Sequence, residues 1–140
     1  MTSRYHEAHR RSLTDPEGFW GQAADAIDWV RRPTRILEMQ ENGTGRWFAD
    51  GVLNTCWNAL DRHVEGGRAD QAALVYDSPV TGTVRRYTYR ELRDRVALFA
   101  GALAALGVGK GDRVVLYMPM VPEAAIAMLA CARLGAVHSV

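Results

Sequence analysis

His6 and His9 flank Glu7 and Ala8 in "HEAH", residue types that could ligate a metal and supply a general base. The spacing argues against it. A zinc-binding HExxH helix needs histidines four positions apart so that both lie on one helical face, and here they are three apart. The segment therefore reads as solvated. His63 follows Asp61-Arg62 near an expected helix end, where an imidazole can meet the last carbonyls. His138 is expected in the core or at a cleft edge rather than in catalysis, and Ser139 beside it is no nucleophile, because neighbours on a strand point to opposite faces.

Phosphate chemistry fares no better. "GVGKGD" (107–112) carries glycines and Lys110, but it precedes a strand where a phosphate-cradling loop precedes a helix, and it lacks the Gly-Lys-Ser/Thr ending. The later turn "PMVPEA" has no glycine to admit a pyrophosphate, which argues against nicotinamide or flavin binding. Cys56 and Cys131 lie far apart on apolar helical faces, outside any CxxC pair, and read as buried free thiols of a reducing compartment. Trp20, Trp29, Trp47 and Trp57 are not interleaved with basic residues as single-strand binders require, so packing is expected of them. Met118, Met120 and Met128 read as core or cleft wall. From the residues themselves, no catalytic, cofactor-binding or metal-binding residue is assigned.

The elements that would position a site are clearer. In "DPEGFW", Asp15 is a candidate cap and Pro16 the first residue of a helix over about 16–27. "ENGTG" (41–45) is a loop, and Asp50-Gly51 suits a two-residue hairpin or a tight bend. Asn54 can cap a helix whose Cys56, Trp57, Leu60 and Val64 share a face until Gly66-Gly67. From about residue 70 the pattern turns to strands, with 72–76 and 83–89 joined across "DSPVTG" as a hairpin. Thr88 and Glu91 form a capping box for a helix of about 89–106, with Leu92, Val96, Phe99, Leu103 and Leu106 on its buried face and Gly107 after it. A strand at 113–118, a helix to Arg133 and a strand "AVHSV" then give a βαβ unit, expected to be parallel and right-handed. The fold class is α/β.

The composition suits a globular domain: 140 residues, 48% hydrophobic, with 17 basic against 16 acidic side chains and a net charge of +1. That balance gives no global field for nucleic acid, an anionic membrane or a polyanion, so an anion site would have to be local. No apolar run approaches the roughly 20 residues that span a bilayer. The N-terminus lacks the apolar stretch of a secretory signal, and a cytoplasmic location is expected.

Taken together, "DPEGFW", "RWFADGVLNTCWNALDRHV", "YTYREL" and "GVGKGDRVVLYMPMVPEAAIAMLACARLGAVHSV" closely resemble the opening of the short-chain AMP-forming acyl-CoA synthetases, the acetyl-CoA and propionyl-CoA synthetases of the adenylate-forming superfamily. The likeness runs from about residue 5 to the end. Ala59 in "NALDRH", where acetate enzymes more often carry cysteine, together with the short leader and "RWF", looks more like a propionyl-CoA synthetase. The resemblance implies an N-terminal extension of that type over 1–66 and the start of an AMP-binding domain over 67–140. For the complete enzyme it implies ATP, Mg2+ and CoA: a short carboxylate attacks the α-phosphate to give an acyl-adenylate and pyrophosphate, and the CoA thiol then displaces AMP. The family's phosphate loop, nucleotide contacts and catalytic lysine have no matching positions here, so no site residue is carried over and the segment alone is expected to be inactive. Its unfinished sheet is expected to self-associate, and the alternative reading is a free-standing, non-catalytic module that binds or regulates a full-length synthetase.

Overall fold

The computed structural model describes residues 3–140 and divides them into two compact units, one ending at Leu53 and the other spanning Asn54–Val140. The first unit opens with α1 (Arg4–Thr14), whose Ser3 hydroxyl accepts from the His6 N–H. No residue of α1 is buried, so its solvation is as expected while its helicity is an addition. In α2 (Pro16–Ala23) the Asp15 carboxylate accepts from the Gly18 N–H at 3.1 Å and Pro16 occupies the first turn, where its missing N–H costs nothing. A 3-10 turn, Ala24–Ala26, completes the helix read over 16–27.

Two three-residue strands, β1 (Leu37–Met39) and β2 (Gly45–Trp47), pair antiparallel with Leu37 opposite Trp47, so the "ENGTG" loop is itself the hairpin connection. Asp50-Gly51 lies in a tight bend instead: the Gly51 N–H donates to the Phe48 carbonyl at 2.9 Å, and Phe48 takes a positive φ of 51°. Only glycine fits at 51, because a Cβ there would come within 2.7 Å of the Trp29 ring. Val52 then bridges to Arg31.

The second unit begins with a helical stretch over 55–68, capped by Asn54, whose side-chain oxygen accepts from the Trp57 N–H at 3.0 Å. Its turns at Trp57–Asp61 and Val64–Arg68 are of the wide π type, and Gly67 (φ 83°) ends it. The widened turns alter the face expected from an α-helical period: Cys56 and Leu60 are buried, Val64 is half-buried and Trp57 is exposed.

Strands β3 (Ala72–Ser78) and β4 (Thr83–Thr88) form the expected antiparallel hairpin, with a bulge between Ala72 and Leu74. α3 (Tyr89–Ala105) carries the complete capping box at Thr88 and Glu91. At its other end Gly107 (φ 88°) lets the Val108 N–H return to the Leu103 carbonyl. The buried face runs Leu92, Val96 and Ala100, with Leu103 partly buried; Phe99 and Leu106, expected on it, are exposed. Ala100 takes the inward place one residue after Phe99, and Leu106 lies past the last helical turn.

β5 (Arg113–Val115) and β6 (Val137–Ser139) pair parallel through α4 (Pro122–Leu134), which is the expected βαβ unit. The paired part of β5 is shorter than the expected 113–118, and only the Leu116 N–H extends it, to the Ser139 carbonyl. One core joins these elements: Cys56, Leu60, Tyr87, Leu92, Val96, Ala100, Ile126 and Ala130. Each buried aliphatic side chain of this kind contributes about 1.5–3 kcal/mol.

Candidate functional site

In α/β sheets ligands collect at the carboxyl ends of parallel strands, and here that place is an apolar groove of about 220 Å³. Met118, Met120, Val121 and Met128 line it from the β5–α4 turn and α4, Leu74 and Tyr76 from β3, and Val140 from the end of β6. Pro119 and Pro122 bracket the turn and fix its path. The methionines are therefore cleft wall. No side-chain carboxylate, imidazole, thiol or lysine lines the groove, so it can seat apolar groups, with the Tyr76 phenol as its one ionisable side chain.

The residues singled out by type are not brought together. His6 and His9 are exposed on α1, His6 Nδ1 lying 2.7 Å from Ser3 Oγ and His9 stacking on Tyr5. No group of three or more metal-binding side chains occurs among the described residues. His63 sits against Tyr89 and 3.4 Å from an Arg68 nitrogen. His138 and Ser139 are exposed on β6, so His138 is outside the core. Trp20 and Trp47 meet edge to face, and Trp29 packs on Phe48 while donating to the Ala24 carbonyl at 2.9 Å. Lys110 belongs to a helix-to-strand turn in which the Gly109 N–H donates to Asp112 and the Gly111 N–H to the Gly135 carbonyl.

A polar cluster went unread in the sequence. Arg133 donates to both Asp61 carboxylate oxygens, and the Asn54 amide donates to the Arg133 carbonyl at 3.0 Å. Burial opposes the charge on Arg133, but the hydrogen bond and charge of Asp61, with Cys56 beside it, outweigh burial and raise its pKa. Desolvation raises the pKa of the Cys56 thiol despite the nearby guanidinium, and burial raises that of Cys131. Both are free thiols with no exposed surface, which makes them inert core residues rather than nucleophiles. Among the described residues no helix is long and apolar enough to cross a membrane.

Two family models match this sequence in tandem. "Acetyl-coenzyme A synthetase N-terminus" covers residues 5–59 and "AMP-binding enzyme" covers residues 60–140. The chain is 50% identical over 137 residues to acyl-CoA synthetase short-chain family member 3, mitochondrial, of Homo sapiens, an alignment covering 98% of this chain and 20% of that protein. It is 47% identical over 141 residues to acetyl-coenzyme A synthetase of Bradyrhizobium diazoefficiens, covering 99% of this chain and 22% of that one. Among solved structures it superposes on acetoacetyl-CoA synthetase from Streptomyces lividans with a TM-score of 0.87 and 34% identity, over 99% of this chain and 21% of that chain. The chain thus spans about a fifth of the length of the relatives it matches.

Proposed function

The chain belongs to the AMP-binding enzyme family, as the N-terminal portion of a short-chain acyl-CoA synthetase, and on that premise we propose that it acts as the scaffold of an AMP-forming acid–thiol ligase. The single observation that carries this reading is the superposition of 99% of the chain on an acyl-CoA synthetase at a TM-score of 0.87. In the complete enzyme, an oxygen of a short-chain carboxylate attacks the α-phosphorus of ATP and pyrophosphate leaves. The CoA sulfur then attacks the acyl carbon and AMP leaves.

Neither step is assigned to residues described above. The turn between β5 and α4 has no glycine to bring backbone amides to a phosphate, so that turn is no phosphate cradle, and among the described residues no group of three or more metal-binding side chains occurs. What the segment supplies is position. Residues 1–66 form the extension, and 67–140 begin the AMP-binding domain with its first parallel strand pair. Parallel sheets are ordinarily covered on both faces, whereas Val115, Tyr117 and Val137 are exposed, which supports reading β5 and β6 as part of a larger sheet. We place the enzyme in the cytoplasm.

Propionate is the proposed substrate and acetate the next best, on the strength of Ala59 in "NALDRH" and the "RWF" opening. Steady-state kinetics of the complete natural chain with each acid test this. A higher kcat/KM for propionate is expected, and a preference for acetate reverses the assignment.

A further inference from the structure

The arginines of "TVRRYTYRELRDR" (83–95) are unevenly paired. Arg90 faces Asp70 and Arg93 binds Asp94, whereas among the described residues Arg85 and Arg86 meet no carboxylate, and Arg95 lies over the Tyr87 ring, 5.2 Å from its centroid. Those three line one open groove of about 440 Å³ together with Tyr87 and Glu91. It shares no residue with the apolar groove at the strand ends. Glu91 is the one acid in it, and its Oε2 accepts from the Thr88 N–H and hydroxyl, so its charge is turned toward the helix cap. Since the chain as a whole is near neutral, this concentration of guanidinium is local.

From this geometry we propose that the groove binds a small anion carrying more than one phosphoryl group. Arg85 and Arg86 are neighbours on β4, both exposed, and leave it on opposite faces; among the described residues β4 pairs only with β3, so its other edge is open. A carboxylate offers one pair of oxygens, enough for one guanidinium fork, whereas a diphosphate offers several oxygens and more charge to the three guanidinium groups that line the groove. Stacking on Tyr87 holds the third guanidinium in place. Charged side chains also guard open strand edges against pairing, which is the role these arginines would have without a ligand. The proposal does not rest on the ligase assignment.

Isothermal titration calorimetry of the purified protein with inorganic phosphate and with pyrophosphate separates the two. Pyrophosphate is expected to bind saturably and roughly tenfold more tightly than phosphate. Arg85→Gln/Arg86→Gln is expected to weaken it at least about tenfold, and Arg85→Lys/Arg86→Lys, which keeps charge but loses the fork, by an intermediate factor. Arg113→Gln, on β5 outside the groove, is expected to change nothing. A nucleoside diphosphate titrated alongside reads the source: tighter binding than pyrophosphate assigns a diphosphate carried on an organic group, and equal or weaker binding assigns the free ion. Unsaturable heats, equal loss with Arg113→Gln, or displacement by a glutamate-rich peptide would overturn the proposal.

Discussion

Arg133 in the last turn of α4 donates to both carboxylate oxygens of Asp61, at 3.0 and 2.7 Å, across 72 positions of sequence. This ties the helical stretch that follows Asn54 to the helix of the βαβ unit, at the point where Gly135 (φ 73°) turns the chain into β6. Both side chains are largely withdrawn from water, 13% exposed for Asp61 and 27% for Arg133, so each stands to lose more without the other than a surface pair would.

Asp61→Ala is expected to destabilise the protein by about 2 kcal/mol, and Arg133→Met by a similar amount. The double substitution should cost less than the two together, since neither charge is then left unpaired. Urea denaturation midpoints of the four proteins give the coupling; strict additivity would show that the pair does not act as a unit.

Asp50 should make the first unit acid-sensitive. Its carboxylate accepts from the Thr34 hydroxyl at 2.6 Å and from the backbone N–H groups of Thr34 and Arg35, and these bonds, led by the hydroxyl, lower its pKa from 3.8 to about 2. The folded value lies below the unfolded one, so the contribution is full above 3.8 and is lost as pH falls through about 2. Asp50→Asn should flatten the stability profile across that window, measured by tryptophan fluorescence during urea unfolding. An unchanged slope would place the acid sensitivity elsewhere.

Both thiols should resist modification in the folded protein. Cys56 and Cys131 expose no surface and have raised pKa values through desolvation, so a thiol reagent should label neither at neutral pH and both in denaturant. Stoichiometric labelling of the native protein would contradict their placement in the core.

Val115, Tyr117, Met120 and Val140 lie exposed on and beyond β5 and β6, and Val80 and Val84 on the hairpin. A polypeptide of these 140 residues alone is therefore expected to self-associate with rising concentration, as exposed apolar surface does. Analytical ultracentrifugation tests this, and a single monomeric species over the concentration range would count against it.

Local chemistry made much of this fold readable. The capping box at Thr88 and Glu91, the glycines that stop α3 and α4, and the Pro16 helix start act within a few residues, so their signals survive in sequence. α1 is less legible as a helix because it is mostly charged and polar and buries nothing, leaving Tyr5, Ala8 and Leu13 as its apolar residues. The β1–β2 hairpin has strands too short to alternate, and only its loop was visible. The π-type turns after Cys56 break the period used to assign a buried face. At the candidate site, the methionine wall was legible from its setting in the βαβ unit, whereas the Asp61–Arg133 pair joins residues 72 positions apart that no local pattern links, and Arg85, Arg86 and Arg95, though close in sequence, meet only because α3 turns back beside β4.

The most direct test of the central claim is to assay the complete natural chain carrying these residues for carboxylate-dependent conversion of ATP in the presence of CoA. The account predicts that AMP and pyrophosphate appear one for one with acyl-CoA, with propionate and acetate as substrates, and that nothing is formed without the acid. Formation of ADP and phosphate, or AMP formation indifferent to the carboxylate, would contradict it.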